Sequence, residues 1–155
     1  VQPGSMAMVD GPYGKFSPLN YDCSEGLVLV AGGVGITPML SIIRYFEKHD
    51  RNQKIILFWG IKNNGDFICG NEFKRWLKEM KNFTFIPVVS EGGFSGETGH
   101  INRKIMERYL QKSAYKIDRC QYFFCGPRPM RGSIEKILLE MGVSKQRFHF
   151  ENFSL

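Results

Sequence analysis

Short apolar segments alternate with longer, helix-like segments from residue 27 to the end of the chain. The first apolar segment, LVLVA at 27–31, is continuous, which is typical of a strand buried on both faces of a sheet. In the segment that follows, Met39, Ile43 and Phe46 recur at helical spacing and share one face. Because parallel strands are joined by crossover helices, this alternation predicts a parallel sheet covered by helices on both faces.

The periodicity predicts strands and helices in strict succession. The expected strands are 27–31, 54–60, 83–90, 121–126 and 147–153, and the expected helices are 37–49, 71–81, 101–111 and 129–142. We therefore predict the α/β class, with a doubly wound five-stranded parallel sheet of order 3-2-1-4-5 between two helical layers. Pro87 indicates an edge strand or a bulge, since proline cannot donate a ladder hydrogen bond. Such sheets bind ligands beyond the carboxyl ends of the strands, where the strand order reverses.

The composition is that of a globular protein with a substantial core. The chain has 155 residues, of which 43% are hydrophobic and 23% charged, and this fits a single domain. Its net charge is +6, but the basic residues are mixed with acids and form no tract with interleaved aromatics, so we expect no nucleic-acid partner. Four cysteines in a domain of this size do not indicate a disulfide framework. With no apolar run of roughly 20 residues either, we predict a cytoplasmic location.

The cysteine spacing does not indicate a metal site. Cys120 and Cys125 have a C-x4-C spacing, but Arg128 stands where a plant-type iron–sulfur cluster needs a third cysteine. The histidines are far apart in sequence and form no ligand pattern, so we expect no metal.

A glycine-rich turn, AGGVGITPM at 31–39, joins the first strand to the first helix. Its glycines allow a sharp turn and a close approach to a ligand, while Thr37 and Pro38 suit a helix cap and a first helical turn. The N–H groups and the positive end of the helix favour an anion such as pyrophosphate. The alternative is a glycine turn used only for tight packing.

A cysteine ends the fourth apolar segment in FFCGPRPM at 123–130. Cys125 is followed at once by Gly126 and Pro127, at the predicted carboxyl end of a strand. The sequence leaves two interpretations, a small buried side chain that packs as a hydrophobe or a group presented to a ligand.

Four motifs together resemble the pyridine-nucleotide half of the ferredoxin–NADP reductase superfamily. They are VDGPYG at 9–14, AGGVGITPM at 31–39, CGPRPM at 125–130 and FENF at 150–153, and the resemblance covers essentially the whole chain. The ferric reductase and NADPH oxidase branch is the most similar, followed by the bacterial oxygenase reductases. The resemblance implies a flavoprotein oxidoreductase that transfers hydride from NAD(P)H to FAD, which passes electrons to haem, iron–sulfur or ferric acceptors.

The resemblance assigns a role to each motif. Cys125 would lie beside the nicotinamide carbon that gives up hydride, and Phe153 would lie against the flavin, unless it only closes the core. The cofactor-binding residues implied are Gly32, Gly33, Val34 and Gly35 for the pyrophosphate, Thr37 and Pro38 near the nicotinamide, Gly126, Pro127 and Met130 around its pocket, and Asp10, Gly11, Pro12, Tyr13 and Gly14 at the junction with a flavin domain.

Residues after the third strand bear on the choice of nucleotide. Members that use NADP often have Ser-Arg here, whereas this chain has Ser90 and Glu91. A carboxylate repels a 2′-phosphate and accepts a hydrogen bond from a ribose hydroxyl, so NADH is favoured. Lys62 and Arg103 lie in neighbouring loops and would reverse this preference if they reached the phosphate.

The flavin-binding signature R-x-Y-[ST] of the superfamily does not occur in this sequence. We therefore expect residues 1–26 to lead in from a missing FAD-binding β-barrel domain and residues 27–155 to form the NAD(P)H-binding domain, inactive alone. The expected partners are that β-barrel domain and a downstream acceptor, which is a haem membrane domain, a ferredoxin or an oxygenase. In a membrane reductase the chain would lie at the cytoplasmic face. The alternatives are an NAD(H)-sensing module and a protein-docking module, both without catalysis.

Overall fold

The computed structural model describes residues 2–8, 10 and 15–151. The described residues form a six-stranded sheet and four α-helices, so the predicted α/β class is confirmed. The strands are β1 (Leu27–Gly32), β2 (Ile55–Ile61), β3 (Phe83–Val89), β4 (Glu97–Thr98), β5 (Gln121–Cys125) and β6 (Phe148–Glu151). The helices are α1 (Ile36–His49), α2 (Gly70–Glu79), α3 (Arg103–Lys112) and α4 (Arg128–Glu140).

The sheet is parallel throughout, with the order β4-β3-β2-β1-β5-β6. The five longer strands follow the predicted order, and the strand count differs by β4, which has two residues. Sequence periodicity misses β4 because it lies in a polar, glycine-rich loop and pairs only with Val88 and Val89. Pro87 lies just before the residues of β3 that pair with β4. At Pro87 the strand pairs with Trp59 of β2.

Two apolar layers enclose the sheet. Leu27, Leu29 and Ala31 of β1 belong to the core cluster shared with α1 and α2, while Val28 and Val30 belong to the cluster shared with α3 and α4. All six residues of β1 are buried, which explains the continuous apolar segment in the sequence.

Residues 16–23 pack against the first core layer. The ring of Phe16 meets Phe123 edge-on at 5.1 Å, Tyr21 stacks on His149 at 3.8 Å, and Cys23 is buried in the same cluster. This segment therefore covers β5 and β6 on the face where α1 covers β1.

Candidate functional site

The carboxyl ends of β1 and β5 lie side by side at the point where the strand order reverses. β1 is paired with β2 on one side and with β5 on the other, and Ala31 stands in register with Cys125. The chain leaves β1 into the glycine turn and leaves β5 into Gly126 and Pro127. The topology therefore brings the two predicted ligand-binding motifs together.

The glycine turn is a short 3₁₀ segment, Gly33–Gly35, that runs directly into α1. Gly33 has a φ of +53°, and an ideal Cβ there would meet nothing within 4 Å. This left-handed conformation is the reason that the position favours glycine. Val34, at the apex of the turn, is 69% exposed, so the turn opens to solvent.

The turn after β5 packs directly on the glycine turn. A Cβ on Gly35 would overlap the carbonyl oxygen of Cys125, and one on Gly126 would lie 3.1 Å from the Gly32 nitrogen. A Cβ on Gly32 would lie 2.5 Å from the Met130 sulfur and 2.9 Å from Cδ of Pro127. Glycine is thus required for close approach of two backbones, and Met130 and Pro127 close one side of the junction.

Thr37 does not cap α1, and that expectation is wrong. The helix begins at Ile36, and its N-cap position is Gly35, which has no side chain to accept a hydrogen bond. The Thr37 hydroxyl instead donates to the Val34 carbonyl at 3.2 Å. Pro38 lies in the first turn of the helix, as predicted.

Cys125 is fully buried at the end of β5. Burial, together with the nearby Glu151 carboxylate, raises the pKa of its thiol to about 11. Glu151 is the register partner of Cys125 on β6. Because the thiol is protonated at neutral pH, it is suited to shaping a surface and not to acting as a nucleophile.

Ser90 and Glu91 follow β3 at the same edge of the sheet. Their backbone N–H groups donate to the carbonyls of Ile61 and Lys62, at 3.0 and 2.8 Å. The Lys62 ammonium pairs with the Glu91 carboxylate at 3.4 Å, and both side chains are more than half exposed. The second candidate cation, Arg103, instead donates to Glu107 at 2.8 Å along α3.

Five of the predicted site residues lie outside the part of the chain that the structure describes: Gly11, Pro12, Tyr13, Gly14 and Phe153. Asp10 is described and exposed. Phe150 is half-buried and meets Phe124 and Phe148 edge-on at 5.9 and 5.6 Å. Its ring therefore closes the second core layer.

Sequence reasoning missed Trp59, which lies on β2 beside the glycine turn. Its indole nitrogen donates to the Gly33 carbonyl oxygen at 2.9 Å. The available signal was an aromatic residue with a polar N–H near the carboxyl end of a buried strand, where ligand-binding turns meet.

Comparison with known proteins decides the family. The family model described as the oxidoreductase NAD-binding domain matches residues 29–136. The chain belongs to this family.

The chain is also similar in sequence to a part of a known NADH-quinone reductase. The chain is 28% identical to one component of the Na(+)-translocating NADH-quinone reductase of Klebsiella pneumoniae, over 99% of this chain and 38% of that protein. The chain thus spans about two fifths of the length of that relative.

Solved structures confirm the fold of the family. The Amycolatopsis cytochrome P450 reductase GcoB is similar with a TM-score of 0.77 and 23% identity, over 99% of this chain and 47% of that one. A ferredoxin NADP+ reductase from Neisseria gonorrhoeae, solved with bound FAD and NADP, has a TM-score of 0.74 and 22% identity, over 90% and 61% of the two chains. The family model confirms the predicted NAD-binding family, and these two solved structures share the fold of this chain.

In the part of the chain that the structure describes, no helix combines the length and the apolar character needed to cross a membrane.

Proposed function

We propose that this chain is the NADH-binding half of a flavoprotein oxidoreductase and orients the nicotinamide for hydride transfer to FAD. The observation that supports this most strongly is the backbone-to-backbone contact of Gly35 and Gly126 with the opposite turn, at the point where the strand order reverses. Because glycines form the contact between the two turns, their peptide groups are open to a ligand and the glycines have no side chains to cover them.

The glycine turn would hold the pyrophosphate. The 3₁₀ segment of the glycine turn runs directly into α1, so the turn lies at the positive end of the helix dipole. The first turn of α1 contains no acidic residue, so no carboxylate of that turn opposes an anion. The exposed apex at Val34 leaves this end of the helix accessible.

The turn after β5 would orient the nicotinamide. The cofactor supplies the hydride chemistry when it is bound, and the protein supplies position and a dry surface. The neutral, buried thiol of Cys125 is polarisable and carries no charge that would attract water. Pro127 and Met130 pack on Gly32 and would fix the distance between the pyrophosphate end and the nicotinamide end.

Glu91 would favour NADH over NADPH. Its carboxylate stands at the end of β3, fixed by the backbone bond to Lys62 and by the 3.4 Å ion pair. The carboxylate would accept a hydrogen bond from a ribose hydroxyl and repel a 2′-phosphate. The name of the Klebsiella pneumoniae relative, part of an NADH-quinone reductase, also supports NADH as the donor.

The intact protein would contain an FAD-binding β-barrel domain as the first partner of this chain, in line with the 38% share of the Klebsiella pneumoniae relative that the chain covers. Single electrons would pass from FAD to a haem, iron–sulfur or ferric acceptor. The chain would work in the cytoplasm or at the cytoplasmic face of a membrane.

A charge placed on the glycine turn tests this proposal. Val34 is exposed, so Val34→Asp and Val34→Asn differ mainly by one negative charge at the proposed pyrophosphate site. We expect calorimetry to give an NAD+ affinity about tenfold or more weaker for the Asp variant than for the Asn variant, because two like charges a few ångströms apart repel by about 1.4 kcal/mol or more. Wild-type protein that binds no NAD+, or equal affinities of the two variants, would contradict the proposal.

A further inference from the structure

The side chain of Trp59 reaches from β2 to the glycine turn. Trp59 pairs in register with Ala31 of β1 and is only 1% exposed. Its indole nitrogen lies 2.9 Å from the carbonyl oxygen of Gly33, the residue with the left-handed backbone. This bond is a link between the sheet core and the exposed turn.

The two exposed residues of the turn both have engaged carbonyl groups. Gly33 O accepts from the Trp59 indole and from the Ile36 N–H, and Val34 O accepts from the Thr37 hydroxyl at 3.2 Å. A carbonyl oxygen that pointed out of this turn would repel a phosphate oxygen. Because hydrogen bonds keep these carbonyls turned inward, the backbone N–H groups of the turn are the polar groups that face an anion.

The indole ring has a fixed position. Phe73 lies nearly parallel to it with centroids 5.9 Å apart, Phe67 meets it edge-on at 5.5 Å, and Phe85 is tilted at 6.3 Å. These rings, on three separate segments, restrict rotation of the Trp59 side chain. The donor is thus held in place before any ligand arrives.

We propose that Trp59 is a positioning residue for dinucleotide binding, which holds the Gly33 carbonyl inside the turn so that the pyrophosphate meets N–H groups alone. This role rests on the proposed function of the site. Trp59 acts through Gly33 and touches no part of the cofactor.

The Trp59→Phe variant isolates the donor. Phenylalanine retains an aromatic ring in the cluster but has no N–H, so Gly33 O loses its partner from the core. Peptide conformations with that carbonyl turned outward then become populated and must be reversed on binding. We expect an affinity for ADP-ribose, which contains the pyrophosphate and lacks the nicotinamide, that is about tenfold weaker, as expected for the loss of one buried hydrogen bond.

Trp76→Phe is the matched control. Trp76 is fully buried in the same core cluster, but it lies on α2 and packs edge-on against Phe73 and Phe83. Both substitutions remove an indole from one apolar layer, so thermal unfolding should report a loss of stability for each. Calorimetry with ADP-ribose should report weaker binding for the Trp59 variant alone.

The outcomes separate this inference from the proposed function. Wild-type protein without affinity for ADP-ribose contradicts the proposed function, and the role of Trp59 with it. Wild-type protein that binds, with a Trp59→Phe variant of equal affinity or a Trp76→Phe variant weakened as much, contradicts the role of Trp59 alone.

A measurement on the wild-type protein covers the case in which Trp59→Phe does not fold. The indole N–H resonance of Trp59 should exchange slowly with solvent and should shift when ADP-ribose is added, while that of Trp76 stays constant. An unchanged Trp59 resonance at saturating ADP-ribose would overturn the inference.

Discussion

Gly35 lies so close to Cys125 that a Cβ atom on Gly35 would overlap the Cys125 carbonyl oxygen. The same Cβ would lie 2.5 Å from the carbonyl carbon and 3.0 Å from the Gly126 nitrogen. All three atoms belong to backbone, which cannot move aside as a flexible side chain can. The start of α1 and the end of β5 can therefore pack this closely only because Gly35 has no Cβ atom.

Gly35→Ala should destabilise the protein. Relief of the overlap requires a shift of the turn, and overpacking of this kind costs about 1–3 kcal/mol. For a domain of this size we expect a Tm lower by roughly 3–10 °C in a thermal unfolding scan.

Gly132→Ala is the matched control for that substitution. Gly132 lies within α4, and a Cβ there would meet nothing within 4 Å. Alanine is favoured over glycine inside a helix by up to about 1 kcal/mol, so this variant should be as stable as the wild type or more so. A Gly35→Ala variant with the wild-type Tm would show that the two turns are not in contact.

Cys125→Ala should slow flavin reduction in the proposed full-length flavoprotein, although the thiol takes part in no covalent step. The thiol is buried and its pKa is about 11, so it fills space beside the proposed nicotinamide site in the protonated form. Misplacement of a hydride donor by about 1 Å can cost up to about a hundredfold in rate, so we expect a loss of about tenfold or more. Stopped-flow absorbance of the flavin measures the rate.

Cys125→Ser is the control for the role of Cys125. Serine is close in size to cysteine, so a positioning role predicts a rate between those of the wild type and the Ala variant. Full activity of the Ala variant would mean that the Cys125 side chain does not position the nicotinamide. Rapid inactivation by iodoacetamide at pH 8 would contradict a buried, protonated thiol.

Glu91→Gln should move the nucleotide preference toward NADPH. The substitution removes the carboxylate that would repel a 2′-phosphate and releases Lys62 from its 3.4 Å ion pair. We expect the ratio of kcat/KM for NADH to that for NADPH to fall about tenfold, since one charge–charge contact near the surface is worth about 1–4 kcal/mol.

Glu79→Gln is the charge control for Glu91. Glu79 lies at the end of α2 and pairs with Arg51 at 3.3 Å, so this variant also removes one negative charge. Its nucleotide ratio should match that of the wild type. An equal change in the two variants would mean that net charge, not the position of Glu91, sets the preference.

The helical layers around the sheet, and the meeting of the two turns at its carboxyl edge, could be predicted because both depend on local sequence patterns. Continuous apolar segments mark strands such as β1 that are buried on both faces, and the glycines mark the turns that follow them. Two features could not be predicted from local patterns, because one depends on how two strands pair and the other on the residue at which a helix begins. The indole of Trp59 meets Gly33 only because β2 pairs with β1 as it does, and Thr37 misses the cap because α1 begins at Ile36.

His149 should make the stability of the protein fall in mild acid. Its ring lies between Tyr21, stacked at 3.8 Å, and Phe123, tilted at 4.6 Å. Gln121 donates its amide N–H to the Asp22 carbonyl at 3.3 Å, so its side-chain oxygen accepts from Nε2 of His149 at 3.1 Å. Burial of the ring disfavours its charged form and lowers the pKa of His149 below the ordinary value of 6.5.

The direction of the pH effect follows from the lowered pKa of His149. Below about pH 6.5 the unfolded chain binds a proton that the folded protein does not, so the free energy of unfolding decreases as the pH falls. The decrease stops below the folded-state pKa, where both states carry the proton.

Urea unfolding between pH 8 and pH 5 should show a steeper loss of stability for the wild type than for His149→Phe, which retains an aromatic ring between Tyr21 and Phe123 but cannot titrate. Parallel curves for the wild type and His149→Phe would mean that His149 takes up its proton equally in the folded and unfolded chains.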